Sequence, residues 1–269
     1  MHIKILGTAA AEGIPSIYCG CPTCTEARVL GGKDIRSRSS AVFGGVHLID
    51  LSPDIWYHTN ILGLDTVDLD DLFITHPHFD HFSFRELHWL VPGFAQCREK
   101  PLNIYGNKTV VDRAGEVLGA QVGKVANLHE LEPFKPVRVG DYTFTPVIAL
   151  HMADDICFNY VVQSGGWTAL YACDFGEYPE ETWDFFKTTA FDVVISECTA
   201  GPKSGGKAHM GYEKVFAMKK RLEEMGCFSD GMYVLTHFSH NANVLHQQIA
   251  DCVASEGIQV AYDGMEISL

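Results

Sequence analysis

Thr75-His76-Pro77-His78-Phe79-Asp80-His81 follows the apolar run Leu72-Phe73-Ile74 and sets three histidines and a carboxylate within six residues. Residues two apart in extended chain share a face, so His76 and His78 can grip one ion side by side. Asp80 and His81 stand where the chain turns toward the helical stretch Phe84-Arg85-Glu86-Leu87-His88-Trp89-Leu90, and neighbours in a turn can address a second ion. Imidazole together with carboxylate suits zinc, manganese or iron rather than calcium. A solvated His-rich turn is the plainer alternative. The simplest reading is a metal site built at the end of a buried strand.

His-x-His-x-Asp-His after a strand resembles the mark of the metallo-β-lactamase superfamily, and the resemblance extends over nearly the whole chain. It implies three further ligands, each at a strand end. His151 closes Val147-Ile148-Ala149-Leu150, Asp174 follows Ala169-Leu170-Tyr171-Ala172-Cys173, and His237 follows Tyr233-Val234-Leu235-Thr236. On that resemblance His76, His78 and His151 hold one divalent metal, zinc or manganese. Asp80, His81 and His237 hold the other, and Asp174 bridges them. The implied fold is an α/β four-layer αββα sandwich forming one domain over residues 1–269. Asp50, at the end of Leu48-Ile49, resembles an aspartate that orients ligands from behind, with Asp54 as its rival.

Tyr18-Cys19-Gly20-Cys21-Pro22-Thr23-Cys24 brings three thiols into one short loop, and His240 stands three residues past His237. Three thiolates and one imidazole make a closed tetrahedral zinc site with a net charge of about −1 and no open position for water. Such a site holds structure rather than reacting. The competing reading is a redox Cys-x-Cys or free thiols. Gly7-Thr8-Ala9-Ala10-Ala11-Glu12-Gly13-Ile14-Pro15 ahead of this cluster resembles PhnP-type phosphodiesterases and the related PqqB proteins. In the PhnP type, Cys19, Cys21, Cys24 and His240 would hold a structural zinc that ties the N-terminal loop to the strand end bearing His237.

The 269 residues are close to half apolar, enough for one large core with no linker to divide it. Met1-His2-Ile3-Lys4-Ile5-Leu6 reads as a strand, too short in its apolar stretch for a signal peptide, and nothing approaches a membrane span. A cytoplasmic protein is the default. The remaining cysteines, Cys97, Cys157, Cys173, Cys198, Cys227 and Cys252, read as reduced core thiols. A formal charge of −14 argues against a nucleic-acid surface. It leaves room for a small anion, because two divalent ions less Asp80, Asp174 and a hydroxide leave the site near +1. Strands are expected at 41–43, 46–49, 103–105, 142–147, 158–162 and 193–195, and a helix from Tyr212 to Met225 closed by Gly226.

Water shared by two divalent ions ionises near neutral pH, so the ligand set implies hydrolysis. His78 stands where oxygen-reducing diiron members of the superfamily carry glutamate, which also favours hydrolysis. Lys203-Ser204-Gly205-Gly206-Lys207-Ala208-His209 reads as a basic, mobile loop before a helix N-terminus, an arrangement that favours anions. By resemblance His209 is the catalytic acid or oxyanion-stabilising residue, with Asp80 the other residue assigned to catalysis and Lys207 a phosphate contact. An exposed loop position is the plain alternative for His209 and Lys207. Glu197, at the end of Val193-Val194-Ile195, would brace His209, and Arg36-Ser37-Arg38-Ser39-Ser40 reads as a solvated turn in preference to a phosphate or sugar contact. The expected function is a metal-dependent phosphodiesterase acting on a small anionic diester, cyclic diesters of the PhnP kind included, with no nucleic-acid or membrane partner and, by family habit, a homodimer. The alternatives are a lactonase or thioesterase, and a PqqB-like protein of precursor binding or metal-dependent oxidation. A tRNA-processing nuclease fits poorly, since only 22 residues separate His151 from Asp174 and they read as two strands around Ser164-Gly165-Gly166.

Overall fold

The computed structural model describes residues 1–96 and 98–269. Near-continuous apolar runs make strands that bury both faces, and among the described residues these assemble into two seven-stranded mixed sheets. In the first sheet the order is β14 (Met265–Ser268), β1 (His2–Gly7), β2 (Ser40–Phe43), β3 (His47–Ile49), β4 (Asp71–Phe73), β5 (Leu102–Gly106) and β6 (Ala126–Glu130). In the second it is β13 (Ile258–Val260), β12 (Met232–Thr236), β11 (Val193–Glu197), β10 (Trp167–Ala172), β9 (Cys157–Ser164), β8 (Tyr142–Ala149) and β7 (Val137–Val139).

The expected αββα sandwich is present, and its layers follow from period-two alternation. Val193 and Ile195 point between the sheets while Val194 points to the outer helices. Phe73 enters the core between the sheets, and Leu72 and Ile74 face outward. That central layer is aromatic: the Phe73 ring stacks on Phe144 at 4.0 Å and on Tyr105 at 4.4 Å. One outer layer packs α3 (Lys108–Leu118) through Val110, Ala114 and Leu118. The other packs α4 (Glu180–Phe186), α5 (Tyr212–Glu224) and α6 (His246–Val253) through Trp183, Val215, Leu222 and Ile249. Of the short helices, α1 (Pro22–Leu30) starts inside the cysteine segment, with Cys21 as its N-cap and Cys24 in its first turn rather than in a loop, and α2 (Ile55–Asn60) follows β3. No helix of the described residues is long and apolar enough to cross a membrane.

Strand direction decides where function can sit. β3, β4 and β5 run parallel, and β10, β11 and β12 run parallel. β8 runs the same way as β10, because each is antiparallel to β9. The C-terminal ends therefore gather along one rim. There the sheets are stitched together: the Phe158 amide donates to the Thr75 carbonyl at 2.8 Å and the Tyr160 hydroxyl to the Ile74 carbonyl at 2.6 Å. Between His151 and Asp174 lies a hairpin whose turn, Gly165-Gly166, uses positive φ (61° and 86°), as a tight two-residue connection requires.

Several local expectations change in three dimensions. The stretch Phe84–Leu90 is a 3-10 helix. Arg36 is buried rather than in a solvated turn, donating to Thr8 Oγ1 at 2.8 Å and the Ala261 carbonyl at 2.7 Å. Arg38 pairs with Asp54 at 3.0 Å, which removes Asp54 from any role behind the metal ligands. Cys157, Cys173, Cys198 and Cys227 are buried thiols, Cys252 is exposed, and Cys97 lies outside the described residues. Because Phe73 joins both sheets in one aromatic stack, Phe73→Ala is expected to cost about 3–5 kcal/mol, read by urea unfolding. A loss of less than about 1 kcal/mol would mean that the stack contributes little.

Candidate metal centre

Every residue expected as a ligand reaches the common rim. His76 and His78 follow β4, His151 follows β8, Asp174 follows β10 and His237 follows β12. Asp50, Asp174 and His237 adopt positive φ (65°, 54° and 57°), a costly conformation for non-glycine residues that surrounding packing must enforce. Each leaves its strand on a sharp turn that aims the side chain along the rim.

Two groups of donor atoms result, both including Asp174. In the first, His76 Nε2 lies 2.9 Å from His78 Nδ1, His151 Nε2 lies 3.1 Å from His78 Nδ1, and Asp174 Oδ2 is 3.3 Å from His76 and 3.2 Å from His151. In the second, His81 Nε2 lies 3.2 Å from Asp80 Oδ2, 3.4 Å from Asp174 Oδ2 and 3.3 Å from His237 Nε2. Four donors about 2.0–2.1 Å from a tetrahedral ion stand about 3.3 Å from one another, so both groups fit a divalent cation.

The opposite edge of each ring is held by a partner. Asp50 Oδ2 takes His81 Nδ1 at 2.7 Å, while its Oδ1 accepts the Thr75 amide at 2.8 Å. The Ala208 carbonyl lies 3.1 Å from His151 Nδ1. The Thr199 hydroxyl lies 2.8 Å from His237 Nδ1 and donates to Glu197, which also accepts the Thr199 amide at 2.8 Å. These contacts fix ring orientation and tautomer, a recurrent requirement of metal-ligating histidine. Asp50 thus stands behind His81 as expected. Thr199 escaped sequence reading, because no pattern links a residue after β11 to a histidine after β12.

Electrostatics fit a cation. Burial lowers His76 to about 3 and lowers His237, so both are neutral imidazoles ready to ligate at neutral pH. Burial would raise Asp174, yet His237 and the hydrogen-bonding edges of His209, His76 and His81 hold it well below the usual carboxylate range. Asp80 is likewise lowered: burial opposes this and His81 prevails. Buried carboxylates at this density need positive charge beside them. Asp174 Oδ1 is buried without a hydrogen-bond partner of good geometry, among the described residues.

His209 joins this group from the loop before α5. Its Nδ1 lies 3.0 Å from Asp174 Oδ1 and 3.7 Å from Glu197 Oε1. Burial would lower the imidazole, but Asp174 and then Glu197 raise it to about 10. The loop is pinned, contrary to its composition. The Met210 amide donates to Glu197 Oε1 at 3.0 Å, and Gly176 lets the Lys207 carbonyl approach where a Cβ would stand only 1.7 Å away. The Tyr212 amide at the α5 N-terminus is taken by the Gly201 carbonyl. Lys207 is exposed and does not line the cleft, whereas Lys203 does. The cleft has a volume of about 480 Å³ and holds His78, Asp80, His151, Asp174, His209 and His237. A second, apolar cleft lined by Trp56, Leu87 and Trp89 shares none of its lining.

Cys19, Cys21, Cys24 and His240 also converge. His240 Nδ1 lies 3.7 Å from Cys19 Sγ and 3.4 Å from Cys21 Sγ, close to the ~3.6 Å expected between sulfur and nitrogen on one tetrahedral zinc. Backbone amides point at the sulfurs, Ser16 at Cys24 (3.3 Å) and Cys21 at Cys19 (3.4 Å). The Cys24 amide and then His240 lower the Cys21 thiol to about 6, so it is a thiolate at neutral pH.

A family model described as "Beta-lactamase superfamily domain" matches residues 47–238. The chain belongs to the metallo-β-lactamase superfamily. Its structure is similar to that of a diphosphatase from the PhnP family (TM-score 0.74, 20% identity, covering 100% of this chain and 97% of that one). It is also similar to zinc-bound PqqB from Methylobacterium extorquens (TM-score 0.79, 18% identity, 100% of both chains). In sequence it is 25% identical to an octanoyltransferase of Porphyromonas gingivalis over 99% of this chain and 51% of that protein, so it spans about half that relative's length. The fold is that of metal-dependent hydrolases, and the His/Asp clusters could hold metal.

Removing the Thr199 hydroxyl frees the His237 ring. Thr199→Val is expected to weaken metal binding at the Asp80–His81–His237 group by about 10–100-fold in a zinc titration. Wild-type affinity in that variant would show the contact to be incidental.

Proposed function

We propose that this protein hydrolyses a small organic phosphodiester with two divalent ions sharing Asp174 and a third, zinc, held by Cys19, Cys21, Cys24 and His240. The observation that carries this reading is His209. Its Nδ1 lies 3.0 Å from Asp174 Oδ1 and 3.7 Å from Glu197 Oε1, so Nε2 on the other edge of the ring is the nitrogen left to meet a substrate in the same cleft.

Bound divalent ions at such a donor set bring the ionisation of water toward neutral pH and offset the charge that builds on phosphoryl oxygens. The chain supplies the remaining work. His76, His78 and His151 orient one side of the site, and Asp80, His81 and His237 the other. His209 gives a proton from Nε2 to the departing alkoxide, and Asp174 and Glu197 keep the resulting imidazole in position. Lys203, rather than Lys207, is the cation at the cleft that attracts the substrate anion. The cysteine cluster braces the turn carrying His237 and takes no part in the chemistry.

One observation favours a second reading, cleavage of a carboxylic ester or thioester: the relative of Porphyromonas gingivalis by its name transfers an octanoyl group. The test is hydrolysis of bis(p-nitrophenyl) phosphate by protein loaded with manganese or with zinc, alongside a p-nitrophenyl carboxylate ester. Faster turnover of the diester supports the first reading and faster turnover of the carboxylate ester the second. With metal bound and neither ester consumed, a PqqB-like role in precursor binding or oxidation takes precedence. In the diesterase, His209→Ala is expected to keep its metal while turnover of alkyl diesters falls about 10²–10⁴-fold, and that of p-nitrophenyl esters falls less. Metal loss in this variant would overturn the assignment of His209 as the acid.

A further inference from the structure

Glu12 belongs to none of the ligand clusters, yet it lines the cleft beside Asp80, Asp174 and His209. Its side chain is 26% exposed. The contacts described for this carboxylate converge on Oε1: the Ser239 hydroxyl donates to it, Asn241 Nδ2 donates at 3.2 Å, and His240 Nε2 lies 3.5 Å away. Oε1 is thus committed to the loop after β12, which among the described residues leaves Oε2 without a hydrogen-bond partner on a side chain that lines the cleft. Lys203 stands on the other side of the same asparagine, its ammonium donating to the Asn241 carbonyl. The rim therefore carries a fixed negative and a fixed positive charge joined through one residue.

We propose that Glu12 is a specificity-determining residue that restricts the cleft to monoanionic phosphate groups. This rests on the phosphodiesterase reading above. A diester carries one charge, whereas a phosphate monoester gains a second with a pKa near 6. Lys203 attracts both. Glu12 repels the second charge, and in a partly enclosed cleft that repulsion exceeds its value in open water. If Glu12 only braced His240 through Oε1, a glutamine would serve equally well, since its amide oxygen accepts the same hydrogen bonds. The charge itself is what the filter requires.

Calorimetry of the metal-loaded protein with inorganic phosphate and with dimethyl phosphate, at about pH 8 where phosphate is mainly a dianion, reads this discrimination without turnover. Glu12→Gln is expected to raise the ratio of phosphate affinity to dimethyl phosphate affinity about tenfold, and Glu12→Asp, which keeps the charge, to hold that ratio within about twofold of the wild type. An unchanged ratio in Glu12→Gln, or an equal rise in both variants, overturns the filter. So does loss of zinc from the cysteine cluster in Glu12→Gln, which would assign the charge of Glu12 to holding His240 rather than to the cleft. A raised ratio in Glu12→Gln, in a wild-type protein that cleaves no diester, supports the charge filter and sinks the phosphodiesterase reading alone.

Discussion

A single buried carboxylate sets the terms for the rest of the structure. Asp174 Oδ2 stands within 4 Å of the ligating nitrogens of His76, His81, His151 and His237, while Oδ1 faces His209. An ionised carboxylate fully removed from water is strongly disfavoured unless positive charge surrounds it. His209 brings positive charge to one oxygen of Asp174, and cations in the two donor groups would bring it to the other. The strained backbone at Asp50, Asp174 and His237 follows from the same demand, since an extended strand end could not turn these side chains toward one point.

Two supports keep that point in place. Glu197, wholly buried, receives the amides of Phe175, Thr199 and Met210, and so locks the Asp174 turn, the residue behind His237 and the loop of His209 to one another. On the other side, the Cys19–Cys21–Cys24–His240 cluster brings the N-terminal loop against the turn after β12, three residues beyond His237, where a bound metal would fasten the two. The first support is a hydrogen-bond hub and the second a metal-ready clip. Together they over-determine a conformation that the local sequence would not choose.

The convergence of the candidate ligands was legible because their motif resembles that of a known superfamily and His151, Asp174 and His237 each end an apolar run, and strand ends gather at one rim once the strands run parallel. The inner and outer faces of Leu72-Phe73-Ile74 follow from the period of a strand only once both sheets are in place, because a continuous apolar run marks neither face. What could not be read was anything that depends on which loops meet. Glu197 was expected to brace His209, and it does approach it, but its hold on Thr199 joins elements whose pairing no local pattern encodes. Composition made Lys203 to His209 look mobile, whereas glycines there let backbones touch and pin the loop. Arg36 looked solvated because charge predicts exposure, yet hydrogen bonds to Thr8 and Ala261 permit its burial.

The most direct test of a shared Asp174 is anomalous diffraction from crystals grown with saturating zinc. Two peaks about 3.5–4 Å apart on either side of Asp174, with a third between Cys19, Cys21, Cys24 and His240, are the expected result. A single peak at the rim, with Asp174 turned away from one histidine group, would contradict it.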